Sequence, residues 1–183
     1  MTRDQALAIL KEFTKGESLL KHAYAVEAAM RAYAKKFDED IEYWGLTGLL
    51  HDFDYEMYPD EHPARGNTIL KERNVDAPIL EAIMGHAAFS GVARSTLLAK
   101  TLFAVDELCG FITAVTLVRP SKALSDVKLK SVKKKLKDKH FAARVNRDEI
   151  RQGPEEIGLD FDEHVVFVVD ALKPVATDLG LNP

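Results

Sequence analysis

The sequence predicts an all-α fold. Apolar residues recur at three- and four-residue spacing almost throughout, strand-like alternation is nearly absent, and capping residues and prolines fall at the ends of the periodic stretches. A chain of 183 residues with 46% hydrophobic content is long enough to bury a sizeable core, and it carries no internal repeat or low-complexity tract. The expectation is a single domain over residues 1–183.

The elements follow in order. Thr2 can cap a first helix over about residues 3–13 that ends near Gly16. Ser18 can cap a second, with Leu19, His22, Ala23, Val26, Ala29, Met30 and Tyr33 along one face. A third runs from about Asp40 to Leu50 and buries Ile41, Trp44, Gly45, Gly48 and Leu49. The stretch HDFDYEMYPDEHP breaks the period and reads as a loop or a short turn of helix. Pro63 suits the first turn of a fourth helix reaching about Arg73. Asp76 can cap a fifth, Pro78 to Ala87, with Ile79, Ile83 and His86 on one side. The longest helix spans about Ser95 to Val118, stopping before Pro120. Asp126 to Lys139 reads as a basic helix, and Arg147 to Asp160, with Gly153-Pro154, as a short helix plus a turn. A last apolar helix starts near Asp162, carries Val165, Val168, Val169 and Leu172, and is kinked or ended by Pro174.

Composition narrows the class. No run of about 18 apolar residues exists, so no membrane span is expected. The opening MTRDQALAILKEF is charged and amphipathic, without an apolar core or a small-residue cleavage site, and a cytoplasmic location is the default expectation. Cys109 is the only cysteine, which excludes an internal disulfide and a zinc ribbon. The net charge of -4 hides an asymmetry. Residues 119–147 hold 11 Lys and Arg against Asp126 and Asp138, and the rest of the chain is strongly acidic. Such a segment either faces something anionic or is a solvated face.

Ionisable residues fall on apolar stripes. His22 shares a stripe with Val26, Ala29 and Met30; Asp106 lies between Leu102, Val105 and Cys109; Asp52 continues the stripe of the third helix; His86 extends that of Ile79 and Ile83. A buried carboxylate costs several kcal/mol (about 3–5 when left unpaired) unless it meets a cation. Two Asp and several His converging on one core therefore call for a metal or an extensive hydrogen-bond network. Imidazole with carboxylate suits divalent Mn, Fe, Co, Ni or Zn and tolerates Mg. Such a site leaves positions for water, whose acidity the ion raises while it neutralises a substrate phosphate.

The order His22, then GLLHD ending in His51-Asp52, then Asp106 in FAVDEL, resembles the HD-domain metal-dependent phosphohydrolase superfamily. The resemblance spans about residues 18–118. It implies an HD-type helical bundle with additional C-terminal helices, and a metal-site core followed by a basic and helical extension over about 119–183. It also implies His22, His51, Asp52 and Asp106 as ligands of a divalent ion. His62-Pro63-Ala64-Arg65-Gly66-Asn67-Thr68-Ile69-Leu70 is similar to the HPxxGAxIL motif of binuclear members, and His86 in AIMGHA falls where those members place another ligand. With both, Asp52 bridges two ions. The usual lysine after the doublet is absent; HDFDYE leaves Asp52, Asp54 and Glu56 as the candidate catalytic carboxylates, the last two as proton acceptors or supporting groups.

The expected activity is hydrolysis of a small phosphomonoester or phosphodiester, a nucleotide among the options. Arg119, Lys122, Lys128 and Lys130 are the candidate phosphate-binding residues, since they follow the helix bearing Asp106. Two alternatives stand beside it: a di-iron oxygenase, similar to inositol oxygenase, and a ligand- or nucleic-acid-binding module. Nucleic acid is the weaker partner, because the basic segment lacks interleaved aromatics and the pI is about 5.9. Nothing in the sequence specifies the substrate or the oligomeric state.

Overall fold

The computed structural model describes residues 1–182. Among them are nine α-helices, three short 3-10 turns and no strand. The helices are α1 (Arg3–Phe13), α2 (Glu17–Phe37), α3 (Ile41–Leu50), α4 (Ala64–Glu72), α5 (Ala77–His86), α6 (Leu97–Leu117), α7 (Leu129–Leu136), α8 (Arg147–Glu156) and α9 (Phe161–Leu172). The all-α class and the extra C-terminal helices are as the sequence predicts. No described helix is long and apolar enough to cross a membrane.

Local chemistry sets most boundaries. Thr2 and Gln5 form a reciprocal capping box on α1. Asp40 accepts from the Tyr43 N–H to start α3, and Thr96 accepts from the Ala99 N–H to start α6. Pro174 falls just past the end of α9, where the chain tightens into a 3-10 turn.

Several expectations are corrected. The cap of α2 is Gly16, and Ser18 lies inside the helix. Ile41 is exposed, because it occupies the first helical position of α3 before the stripe turns inward. The basic helix α7 covers only residues 129–136 of the expected 126–139. Residues 147–160 form the short helix and turn that the sequence predicts, with Gly153-Pro154 inside α8. Pro154 is tolerated in its last turns, where losing one N–H leaves only the Ile150 carbonyl unbonded.

The long α6 is the axis of the molecule, packed by α2, α5, α8 and α9. Leu102, Leu108 and Ile112 on it are fully buried, and truncating any to Ala costs about 2–5 kcal/mol. Two crossings depend on glycine. A Cβ on Gly48 of α3 would lie 2.9 Å from the Val26 carbonyl oxygen of α2. One on Gly153 of α8 would lie 2.5 Å from the Ala104 Cα of α6. The first crossing packs the end of α3 against the middle of α2. The second lays the latter half of α8 against α6 at Ala104. Buried Glu27 of α2 is met by both Arg3 of α1 and Arg31, which continues to Glu42 of α3.

Candidate metal centre

Four helices and one loop deliver the ligating side chains to a single point. His22 comes from the first turns of α2, His51 and Asp52 follow the last turn of α3, and Asp106 lies halfway along α6. His62 closes the loop before α4, and His86 ends α5.

These residues form two groups that share Asp52. Ligand atoms of His22, His51, Asp52 and Asp106 all lie within 4.8 Å of one another, as do those of Asp52, His62 and His86. In the first group, Asp106 Oδ1 is 2.9 Å from His22 Nε2 and 3.3 Å from His51 Nε2. Asp52 Oδ2 is 3.5 Å from His51 Nε2. In the second, the other oxygen of Asp52 lies 3.3 Å from His62 Nε2 and 3.2 Å from His86 Nε2. Donor atoms bound at about 2.1 Å to one ion are separated by about 3.0–3.4 Å. The spacings lie close to that range, the longest of the His–Asp contacts being 3.8 Å from His22 Nε2 to Asp52 Oδ2.

The His51, His62 and His86 imidazoles are oriented from behind. The Nδ1–H of His51 donates to the Gly48 carbonyl at 2.8 Å, and that of His86 donates to the carbonyl of Ile83. His62 Nδ1–H donates to Asp54 Oδ1 at 2.7 Å. Each bond leaves a lone pair on Nε2, and each Nε2 faces Asp52 or Asp106. The donor set fits a divalent ion, and nothing in it is soft.

Electrostatics agree. Burial opposes a charge on His51, but the attraction of Asp52 and Asp106 outweighs it and holds the imidazolium well above its ordinary range. His86 is raised the same way by Asp52. Burial would raise both carboxyls; His51 and the neighbouring imidazole N–H groups hold Asp52 and Asp106 well below the usual carboxylate range instead. The pocket is built for positive charge among its donors, which protons supply where no ion does.

Other sequence candidates fall elsewhere. Asp54 is 1% exposed. It accepts from His62 on one oxygen and from the Gly66 N–H of α4 at 2.7 Å on the other. A Cβ on Gly66 would lie 2.5 Å from its Cγ. This carboxylate caps α4 and fixes His62, which fits the supporting role, of the two read from the sequence, and not the proton-accepting one. Glu56 is corrected too: its Oε2 accepts from the Lys15 and Gly16 N–H groups, at 2.8 and 2.9 Å, at the entrance to α2. The basic candidates are also displaced. From Asp106, α6 runs on to Leu117, about 16 Å at 1.5 Å per residue, and Arg119 lies beyond its end. Arg119 bonds to Ser131 there. None of Arg119, Lys122, Lys128 and Lys130 lines the cavity over the donor cluster.

That cavity, of about 400 Å³, is lined by side chains the sequence reading did not single out. Tyr55 and Phe89 supply aromatic wall, the latter 79% exposed on a turn three residues past His86. Glu107, Asn146 and Glu149 supply the polar wall. Asn146 caps α8 through its side-chain oxygen, donates its N–H to Glu107 at 3.2 Å, and donates its amide to Glu149 at 2.8 Å. Burial and the adjacent Asp106 push the Glu107 carboxyl up to about 7, and the same two causes raise Glu149. The VDEL context carried a signal for Glu107, one residue past a buried Asp. Nothing local marked Glu149, which reaches the cavity only because α8 crosses α6. Cys109 is buried in the core and its thiol is pushed well up, which leaves it inert.

A family model, the HD domain, matches residues 19–110, a segment that contains all six His and Asp donors. No curated protein and no solved structure matches the chain.

Proposed function

The chain belongs to the HD domain family, and on that footing we propose that it is a metal-dependent phosphohydrolase acting on a small phosphorylated substrate. The observation that carries the reading is the convergence of His22, His51, Asp52 and Asp106, with the His51 ring oriented from behind by the Gly48 carbonyl. A divalent ion held there supplies Lewis acidity toward a phosphoryl oxygen and raises the acidity of a water nucleophile.

The protein's own groups do the rest. Asp52 and Asp106 supply the negative charge that retains the ion, and Asp54 keeps the His62 tautomer with Nε2 free. Glu107 lines the cavity beside Asp106, so it takes the proton-accepting role in place of Asp54 and Glu56. The reading treats residues 1–183 as one HD-type unit.

The second donor group, Asp52 with His62 and His86, favours two ions over one. It also sustains an oxygenase reading, in which a di-iron pair replaces the hydrolytic ion. Metal analysis after anaerobic purification, with a phosphoester panel on wild type and His62→Ala, separates the cases. We expect hydrolysis by wild type loaded with Mn, Co, Ni, Zn or Mg, and a lower metal stoichiometry in His62→Ala. Two irons with oxygen consumption and no phosphoester turnover overturn the hydrolase reading.

A further inference from the structure

The wall of the metal cavity is chemically one-sided. Among the described residues, no Lys or Arg lines it. Glu107 and Glu149 do, beyond the carboxylates of the donor cluster itself. Arg65 belongs to the adjoining groove that shares His62 and Phe89, and Asp60 and Glu61 accompany it there. Arg94, close to Glu149 in space, is committed to Glu156 through two bonds of 2.8 and 2.6 Å and to the Gly85 carbonyl.

The hydrogen-bonding inventory points the same way. Asn146 is the neutral amide of the wall, and both of its donors used there are spent on Glu107 and Glu149. Its acceptor is spent on the first N–H groups of α8. Each glutamate therefore keeps an acceptor oxygen that its asparagine partner does not occupy. The polar wall offers acceptors and negative charge, while Tyr55 and Phe89 offer an aromatic surface on which a ring or methylene frame can rest. Positive charge in this cavity comes only from whatever the donor cluster holds. A phosphoryl group at that cluster is matched, whereas a second anionic group farther along the wall meets no Lys or Arg.

We propose that Glu149, with Glu107 beside it, selects substrates that carry a single phosphoryl group and an ammonium-bearing or, second best, hydroxyl-bearing remainder. The proposal rests on the phosphohydrolase reading and adds to it the substrate class. Nucleoside polyphosphates and carboxylate-bearing phosphoesters are disfavoured, because a like charge set against an unpaired carboxylate is strongly unfavourable. Glu149 acts as a specificity residue at the α8 side of the cavity.

The test uses the full chain, loaded with its preferred metal, and three phenyl phosphates that differ only at the para position: aminomethyl, hydroxymethyl and carboxyl. Rates are read as kcat/KM for wild type, Glu149→Gln and Glu149→Lys. Binding of the three matching phenylphosphonates, which cannot be hydrolysed, is measured by calorimetry with the same proteins. Comparing variant with wild type on each ester cancels differences in intrinsic reactivity. We expect the amine to exceed the carboxylate by at least about tenfold in wild type, the ratio to shrink in Glu149→Gln, and the order to invert in Glu149→Lys. A wild-type ratio near one, a preference for the carboxylate, or a ratio unmoved in Glu149→Gln overturns the proposal, as does faster turnover of adenosine triphosphate than of the amine ester. Turnover without the charge order sinks the proposal and leaves the hydrolase reading standing. Phosphonate binding in the expected order with no ester turned over does the reverse, and neither binding nor turnover removes both.

Discussion

His51 and His164 are both 0% exposed, both fully bonded and both in contact with α6, yet their protons go in opposite directions. His51 faces Asp52 and Asp106 and is held charged well above its ordinary range. His164 donates from Nε2 to the Ala104 carbonyl at 3.0 Å and accepts at Nδ1 from the Tyr33 hydroxyl. With no carboxylate near it, burial pulls it down to about 4. Burial alone makes a neutral structural histidine. A buried histidine among carboxylates marks a place where positive charge is wanted, and that separates the ligand region from the ordinary core.

The strongest way to break this comparison is to remove the charge that distinguishes the two regions. Asp52→Ala takes a ligand from both donor groups, and we expect bound metal and phosphoester turnover to fall to background, checked by metal analysis and steady-state assay. The fold should survive, since His164, Tyr33 and the α2–α9 contact are untouched.

The next effect belongs to His164. Its folded pKa lies below its unfolded value of 6.5, so its neutral form contributes stability that is fully present above pH 6.5 and lost as pH falls through about 4. The loss amounts to about 3 kcal/mol. Urea unfolding across that window should show a wild-type decline that His164→Gln flattens, with metal content unchanged. His51 and His86 have the opposite sign: raised in the folded state, they favour the metal-free protein at low pH, and ion binding must expel their protons. Metal affinity should therefore fall as pH falls, read by titration calorimetry.

A smaller effect sharpens the distinction between ligands and their supports. Asp54→Asn keeps the shape but weakens the grip on His62 and the α4 N-terminus, and we expect about 10–100-fold weaker metal binding. The loss should fall on the Asp52–His62–His86 group. The smallest effect is the most diagnostic of the surface: Lys128→Ala and Lys130→Ala should leave turnover unchanged and stability within about 0.5 kcal/mol. A large loss of phosphoester activity in either would return the basic segment to the site.

The helices and their approximate ends were legible in the chain because each depends on neighbours within a turn or two, while the set of six His and Asp donors came from the resemblance to a known family. A stripe of Ile79, Ile83 and His86 specifies a face regardless of what packs on it, and Thr2 or Asp40 caps whatever helix follows. The HDFDYE carboxylates show where such reading stops. Asp52, Asp54 and Glu56 alternate along one short segment, but one faces the donor cluster, one turns back to α4 and one reaches the entrance of α2. A loop's side-chain directions follow from the elements it is pressed between, and no periodicity encodes them. The same holds for the basic segment, which the sequence places next to Asp106 and the fold carries away along the rigid length of α6.

By itself, then, the sequence determined the all-α class, the metal-type donor set and the family, since hydrophobic period and ligand chemistry are properties of residues and their local spacing. Only the tertiary structure decided which remaining groups share the cavity. It brought in Glu107, Asn146 and Glu149 and left out every lysine. The physical reason is the close passage of α8 over α6 at Gly153 and Ala104, a contact between residues far apart in the chain. Long-range packing of this kind sets what a substrate meets beyond the metal.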